Sequence, residues 1–547
     1  MKNLKFGEPR LSRSIEFCRN LSDSIIFSIS VLIIGGIATV LSSAKWHMGL
    51  FAWIGPLFFL CYFRMTRIKR KTLWFFLVYL CRSIIAFKDV VPFPLPGIIV
   101  VGLIQTIQSW LIYLSDRWIT RKSDRFLSTL YFPAASVSVE FIPAALGGSI
   151  WFSVANSQVA FNWITQLASI TGLWGISFII YWFGSVLVWA IQRNSEPRRA
   201  KRGIVIYSSV FLTVILFGFI RSNSNAMKSS AQVRVAGLSV PLTGFLENLY
   251  KDYCGREISI DPTWSITSSK VREIQKAELP FIETPDSAKF KYAYAAMKLA
   301  NDSLFALSKK AADNGARFIL WSEANALVFK NDEEQLIERG LKFSKKNKVY
   351  LVMTIAAIHP GKITATTKFL ENETVFISPL GEIMNIFHKN NPVPMAEATE
   401  PGDGVIPVII TPYGRIAVSI CYDADFPIQM RQLGNKKADF LFLPSGDWYS
   451  ISPFHSYMAV FRGIENGTAV VRQASSGLSI LSDSRGRIVK SFDYYLPGEK
   501  LWFADIQSKH ENTVYSRIGD SFAWICVFIM LMGLTYRLAN NSRKDES

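Results

Sequence analysis

Long apolar runs dominate the first 221 residues of the chain, at roughly 24–42, 47–63, 72–87, 96–114, 126–146, 169–191 and 203–220, with one more at 520–536. A helix that crosses a bilayer needs about 20 mostly apolar residues. The runs therefore predict seven spans, then a return span near the end. The third is short and carries Arg82. The first lies too far from the start, and runs too long, for a plain cleaved signal, so it is read as retained. Residues 156–175 are amphipathic and aromatic, suited to lie along the outer leaflet.

After the polar stretch 222–230 the pattern changes. Val233–Leu238 alternates like a strand, and 243–285 mixes aromatics with charge in no assignable order. A helix is expected from an Asp286 or Ser287 cap to Gly315, with Phe290, Tyr294, Met297, Leu304 and Leu307 at helical spacing. Strands are expected at 317–321, 349–357, 373–377, 383–387, 416–420, 440–444, 469–473, 478–482 and 487–493, and helices at 334–346 and 454–466. Such mixing predicts a layered α/β domain. The expected division is a membrane domain 1–221, an outer domain 222–515, and a final span with its tail, 516–547.

Charge fixes the orientation. The 547 residues carry a formal net charge of +18, but residues 1–227 hold 23 Lys+Arg against 8 Asp+Glu, and the remainder 37 against 34. A basic excess confined to the apolar part argues for membrane topology and against a nucleic-acid partner. Alternate loops hold Lys2, Lys5, Arg10, Arg13 and Arg19; Arg64, Arg67, Lys69, Arg70 and Lys71; Arg117, Arg121, Lys122 and Arg125; and Arg193, Arg198, Arg199, Lys201 and Arg202. The intervening loops hold Lys45 and Lys88. The positive-inside rule then predicts cytoplasmic termini, with 222–515 on the extracytoplasmic side. Six scattered cysteines form no paired framework, and no zinc spacing or phosphate loop is present. Glu140, inside the fifth run, reads either as functional or as bonded to a neighbouring helix.

Three reactive side chains fall at the ends of expected strands: Glu323, Lys389 and Cys421. A carboxylate can take the thiol proton, and an ammonium favours thiolate and oxyanion. Singly each has an ordinary role as well: a helix cap, a solvated turn residue, a small core residue.

Trp321-Ser-Glu323, Phe387-His-Lys389-Asn-Asn-Pro-Val-Pro-Met-Ala-Glu397 and Ile420-Cys421-Tyr422-Asp423 resemble the Glu–Lys–Cys signature of the nitrilase, or carbon–nitrogen hydrolase, superfamily. With the leader of spans and with Gln166-Leu-Ala-Ser-Ile-Thr-Gly-Leu-Trp-Gly-Ile-Ser177, the whole chain resembles the apolipoprotein N-acyltransferase family. The resemblance implies an αββα nitrilase-like sandwich on an eight-helix membrane bundle in the bacterial inner membrane. It makes Cys421 the nucleophile, Glu323 the base, Lys389 the oxyanion stabiliser and Glu397 a second, orienting glutamate. The backbone N–H of Tyr422 becomes an oxyanion donor. The implied reaction is ping-pong, from a membrane phospholipid through a cysteine thioester to the amine of a diacylated apolipoprotein, without metal or soluble cofactor.

The chain departs from the family pattern in places. Asp423 stands where the family has Glu. Ser445-Gly-Asp447-Trp448-Tyr449-Ser450 is one residue short, and Arg472-Gln-Ala-Ser475-Ser-Gly477 lacks the motif's asparagine. Trp448 and Tyr449 read as lining the acyl entry or as packing. Cys254 is expected to be free. A membrane amidase, or a transferase with another amine acceptor, keeps the same three groups. A scaffold or transporter has no need of them.

Overall fold

The computed structural model describes residues 24–545, apart from 122, 124, 194, 225–231, 262, 264–267, 365 and 508. The basic cluster before residue 24 and most of the polar linker lie outside the described residues.

Helices occupy all eight apolar runs: α1 Ile25–Leu41, α2 Phe51–Met65, α3 Lys71–Phe87, α4 Leu95–Thr120, α5 Tyr131–Ala145, α6 Leu173–Ile191, α7 Pro197–Asn223 and, last in the chain, Ser521–Asp545. Four of them, α4, α6, α7 and the last, are long and apolar enough to cross a membrane by length and composition. The run at 169–191 is interrupted. Gly172 has φ +65°, which ends a short helical turn before α6 begins. Arg82 does not face lipid alone: its guanidinium donates to Gln105 Oε1 of α4 (3.0 Å) and lies over the Tyr79 ring. Inside the bundle Arg64 of α2 forks onto Asp116 of α4, with both bonds at 2.7 Å.

Between α7 and the last helix the described residues build a two-sheet sandwich. Its first sheet contains β1 Val233–Leu238, β2 Phe318–Trp321, β3 Ala326–Phe329, β4 Tyr350–Ile358, β5 Leu370–Ile377 and β6 Ile383–His388. The second has β7 Val408–Thr411, β8 Gly414–Val418, β9 Phe440–Gly446, β10 Ala469–Ser475, β11 Leu478–Ser482 and β12 Ile488–Asp493. The last strand, β13 Leu501–Ile506, returns to the first sheet beside β1. The orders are β13-β1-β2-β4-β5-β6, with β3 also on β4, and β12-β11-β10-β9-β8-β7. The central strands β1-β2-β4 and β8-β9-β10 are parallel, and they read as continuous buried runs. Val235, Phe318, Leu320 and Val352 face Ile416, Val418, Phe442 and Val471 across the core.

Helices α8 Thr243–Cys254, α9 Ser269–Glu283, α10 Lys291–Asp313 and α11 Glu333–Asn347 lie in the same part of the chain as the sandwich. Leu304, Phe305 and Leu336 of α10 and α11 cover the first sheet. Short turns at 427–435 and helix α12, Phe454–Asn466, cover the second. The layering is αββα. The expected cap at Asp286 forms a turn instead: its carboxylate accepts from Ala288 N–H and Lys289 N–H, and the helix begins at Lys291. Residues 243–285 hold α8 and α9, whose Phe245, Leu249, Ala277 and Phe281 pack on Phe290, Ala293 and Met297.

Every residue of α12 except Tyr457 is buried, because it lies between the second sheet and the apolar helices. Phe454, Met458, Phe461 and Ile464 share one core with Phe141, Ile164 and Trp174. Polar bonds fix this joint. Glu465 accepts from Leu173 N–H (3.1 Å), and Asp520 accepts from Trp174 Nε1 (2.7 Å) and the Tyr515 hydroxyl (2.9 Å).

Candidate active site

Parallel strands deliver their carboxyl ends to one edge of the sandwich, and the reactive residues follow those ends. Glu323 comes two residues after β2, Lys389 directly after β6, and Cys421 three residues after β8. Cys421 has φ +46°, a left-handed conformation that costs a non-glycine residue about 1 kcal/mol or more. Asp423 holds it there. This buried carboxylate accepts from Ile420 N–H (3.1 Å) and the Ser419 hydroxyl (3.2 Å). It also accepts from Asn391 N–H (2.7 Å) and Asn391 Nδ2 (3.0 Å), so it staples the Cys421 turn to the segment after Lys389.

The carboxylate and the amine are in direct contact. Lys389, wholly buried, donates from Nζ to Glu323 Oε1 (2.7 Å) and Glu397 Oε1 (2.6 Å). Asn372 Nδ2 also donates to Glu323 Oε1 (2.8 Å), and Gly446 N–H donates to Oε2 (2.7 Å). The carbonyl of the same Gly446 lies 3.5 Å from Cys421 Sγ. Gly446 thus spans the carboxylate and the thiol.

Burial pushes the Cys421 thiol well above its ordinary pKa. The Glu323 charge adds to the rise, and Lys389 opposes it. Burial alone would pull the Lys389 ammonium down, yet Glu323, Glu397 and Cys421 together hold it well above the usual range. Glu397 is raised by burial against the pull of Lys389. The Cys421 and Lys389 shifts favour a neutral thiol and a charged ammonium in the folded site.

The other expected residues have different surroundings. Tyr422 packs edge-on against Phe426 (5.1 Å), and burial pushes its phenol to about 12. The Trp448 indole donates to Asp89 O (2.8 Å) in the loop between α3 and α4, which makes it a strut to the apolar helices. Tyr449 is half-exposed, edge-on to Tyr495. Cys254 is free and exposed. Glu140 accepts from the Ser153, Ser177 and Tyr181 hydroxyls and from Val154 N–H, which ties α5 to α6 and to the segment between them. Its bonded reading holds.

A second charged group was not read from the sequence. The Arg472 guanidinium forks onto Asp447 (2.9 and 2.7 Å), and His455 bonds Asp447 (2.8 Å) and Asp425 (3.2 Å). Asp447 and Arg472 stood in the two altered motifs. His455 left only the signal of a polar residue in the first turn of an apolar helix. Gly477 is required here, because a Cβ would lie 2.3 Å from Asp447 Oδ2. Donor atoms of Cys421, Asp447 and His455 lie within 4.8 Å of one another. The Arg472 guanidinium already meets the Asp447 charge with two hydrogen bonds, so that carboxylate is paired within the protein.

A cavity of about 250 Å³ opens among α1, α3, α4 and α5, roofed by residues 149–154 and Phe454. Its roof meets the Cys421–Asp425 turn: Ile150 N–H donates to Asp425 O (3.2 Å), and Trp151 lies against His455 (5.2 Å).

With this geometry in view, two family models match the chain. One, described as Carbon-nitrogen hydrolase, covers residues 293–512, and the other, Apolipoprotein N-acyltransferase N-terminal domain, covers 35–186. The apolipoprotein N-acyltransferase of Geobacter metallireducens is 25% identical over 79% of this chain and 79% of its own length. Apolipoprotein N-acyltransferase 1 of Treponema denticola is 22% identical over 94% of this chain and 97% of its own. Among solved structures, Saccharomyces cerevisiae Nit3 of the nitrilase superfamily matches 54% of this chain and 96% of its own at 18% identity, with TM-score 0.35.

Proposed function

The chain belongs to the apolipoprotein N-acyltransferase family, within the carbon–nitrogen hydrolase superfamily, and from that premise we propose how its residues carry out N-acylation of lipoproteins. The observation that carries the proposal is the buried Glu323–Lys389 pair joined to Cys421 through Gly446. A membrane phospholipid is the acyl donor. As Cys421 Sγ attacks the ester carbonyl, its proton passes to Glu323. The tetrahedral oxyanion forms beside the Lys389 ammonium and the Tyr422 N–H. Collapse breaks the ester C–O bond, Glu323 returns the proton to the departing lysophospholipid oxygen, and a thioester remains. The α-amine of a diacylglyceryl-cysteine then attacks the thioester, loses its proton to Glu323 and releases the thiol.

Glu397 holds the second side of Lys389 and so fixes its direction. Trp448 braces the site against the membrane loop at Asp89. Both substrates are lipids of one leaflet, so a sulfur fixed at that surface meets them at high effective concentration. Near-complete burial of the thiol keeps water from the thioester. This reading takes all eight apolar helices as spans, both termini as cytoplasmic and the sandwich as extracytoplasmic, in the bacterial inner membrane.

The test uses the purified full chain with phospholipid and a synthetic diacylated lipopeptide, and follows N-acylation by mass. Wild type and Cys254→Ser should yield the triacylated product, and Cys421→Ser should yield none. Product from Cys421→Ser, or free fatty acid in place of lipopeptide product, would overturn the proposal.

A further inference from the structure

The Asp425–His455–Asp447–Arg472 group has no part in the steps above, yet it is buried beside the sulfur. Both ring nitrogens of His455 approach carboxylate oxygens, Nδ1 toward Asp447 Oδ1 (2.8 Å) and Nε2 toward Asp425 Oδ1 (3.2 Å). Carboxylates accept, so N–H on both nitrogens, the imidazolium, satisfies the two contacts. Arg472 Nη2 lies 3.0 Å from Nδ1 because both nitrogens share Asp447 Oδ1. Two carboxylates then face two cations, and the group is electrically balanced. Asp425 belongs to the turn that begins at Cys421, and Asp447 immediately precedes Trp448.

We propose that His455 is a positioning residue for acyl transfer: a buried imidazolium that clamps the Cys421–Asp425 turn to the loop carrying Asp447 and Trp448, and that sets a fixed positive charge near the sulfur. The inference rests on the reading of Cys421 as nucleophile. The groups facing the ring are Asp425 and Cys421 of the turn, Asp447 at the end of β9 and Arg472 of β10; from the membrane side Trp151 adds its ring. Burial disfavours the imidazolium, but Asp425 and Asp447 outweigh burial, against Arg472, and hold its pKa at about 9. A pKa raised above the ordinary value of 6.5 means the clamp is complete at neutral pH and is lost as pH rises through about 9.

The experiment measures acylation of the full chain by phospholipid as a function of pH and substrate. His455→Gln should lower kcat roughly 10- to 100-fold, through misplacement of the nucleophile, with KM for phospholipid little changed. It should also remove the alkaline limb near pH 9. Asp425→Asn takes away one carboxylate and should move that limb to lower pH. The limb in Asp425→Asn decides the matter if His455→Gln does not fold. Wild-type kcat in His455→Gln, or a limb unmoved in both variants, would overturn the clamp. If wild type itself gains no acyl group on Cys421, the reading of the site fails instead.

Discussion

At the scale of single residues, the candidate nucleophile, base and ammonium were legible because each follows a short run expected as a strand, and such strands end together at one edge of the sandwich. Their supports were not. Asn372 sits inside β5 like any strand residue, and only the fold shows its amide on Glu323. Losing one charge-assisted hydrogen bond of this kind costs about 1.5–3 kcal/mol. Asn372→Ala should therefore slow acylation roughly tenfold or more while the protein still folds, measured as single-turnover thioester formation. A rate equal to wild type would remove Asn372 from the site. Asp423, which replaces the family's glutamate, illustrates a departure that the fold accommodates: the shorter acid makes five contacts in the turn and the loop facing it.

Among the elements, those with a clean period were readable, and those held only by neighbours were not. Helix α12 and the strands expected from an apolar pattern fall where that pattern puts them. Helices α8 and α9 escaped notice because their apolar positions are sparse, and Pro280 lies inside α9. Strands β3, β7 and β13 lie outside that pattern, and they form by pairing with β4, β8 and β1. Close helix contacts were also invisible in the sequence. A Cβ on Gly218 of α7 would lie 1.7 Å from the carbonyl oxygen of Trp163. Gly218→Ala must push α7 away from the 162–165 turn, at a cost of about 1–3 kcal/mol. Its Tm in detergent should fall by several degrees, and an unchanged Tm would show that the two segments are not packed as described.

For the molecule as a whole, the apolar runs outlined the eight apolar helices, and the resemblance outlined the sandwich. How the two parts join was not legible, because α12 carries no mark of being buried on both sides. The joint has a pH signature. Burial pushes Glu465 up to about 7, Arg462 pulls it back, and Asp520 adds to the rise. An unfolded glutamate titrates at about 4.3, so the folded state favours the proton. The stability from Glu465 is full below that value and is lost as pH rises through about 7. Wild-type Tm should fall between pH 5 and 8, and Glu465→Gln should flatten the fall; parallel curves would contradict the assignment.

The most direct measurement withholds the acceptor. The full chain is incubated with acyl-labelled phospholipid, digested and mapped by mass spectrometry, then chased with a diacylated lipopeptide. The expected result is one hydroxylamine-labile acyl group on the peptide containing Cys421, which leaves that peptide and appears on the lipopeptide amine during the chase. Label on another residue, or label on Cys421 that the amine does not remove, would contradict it.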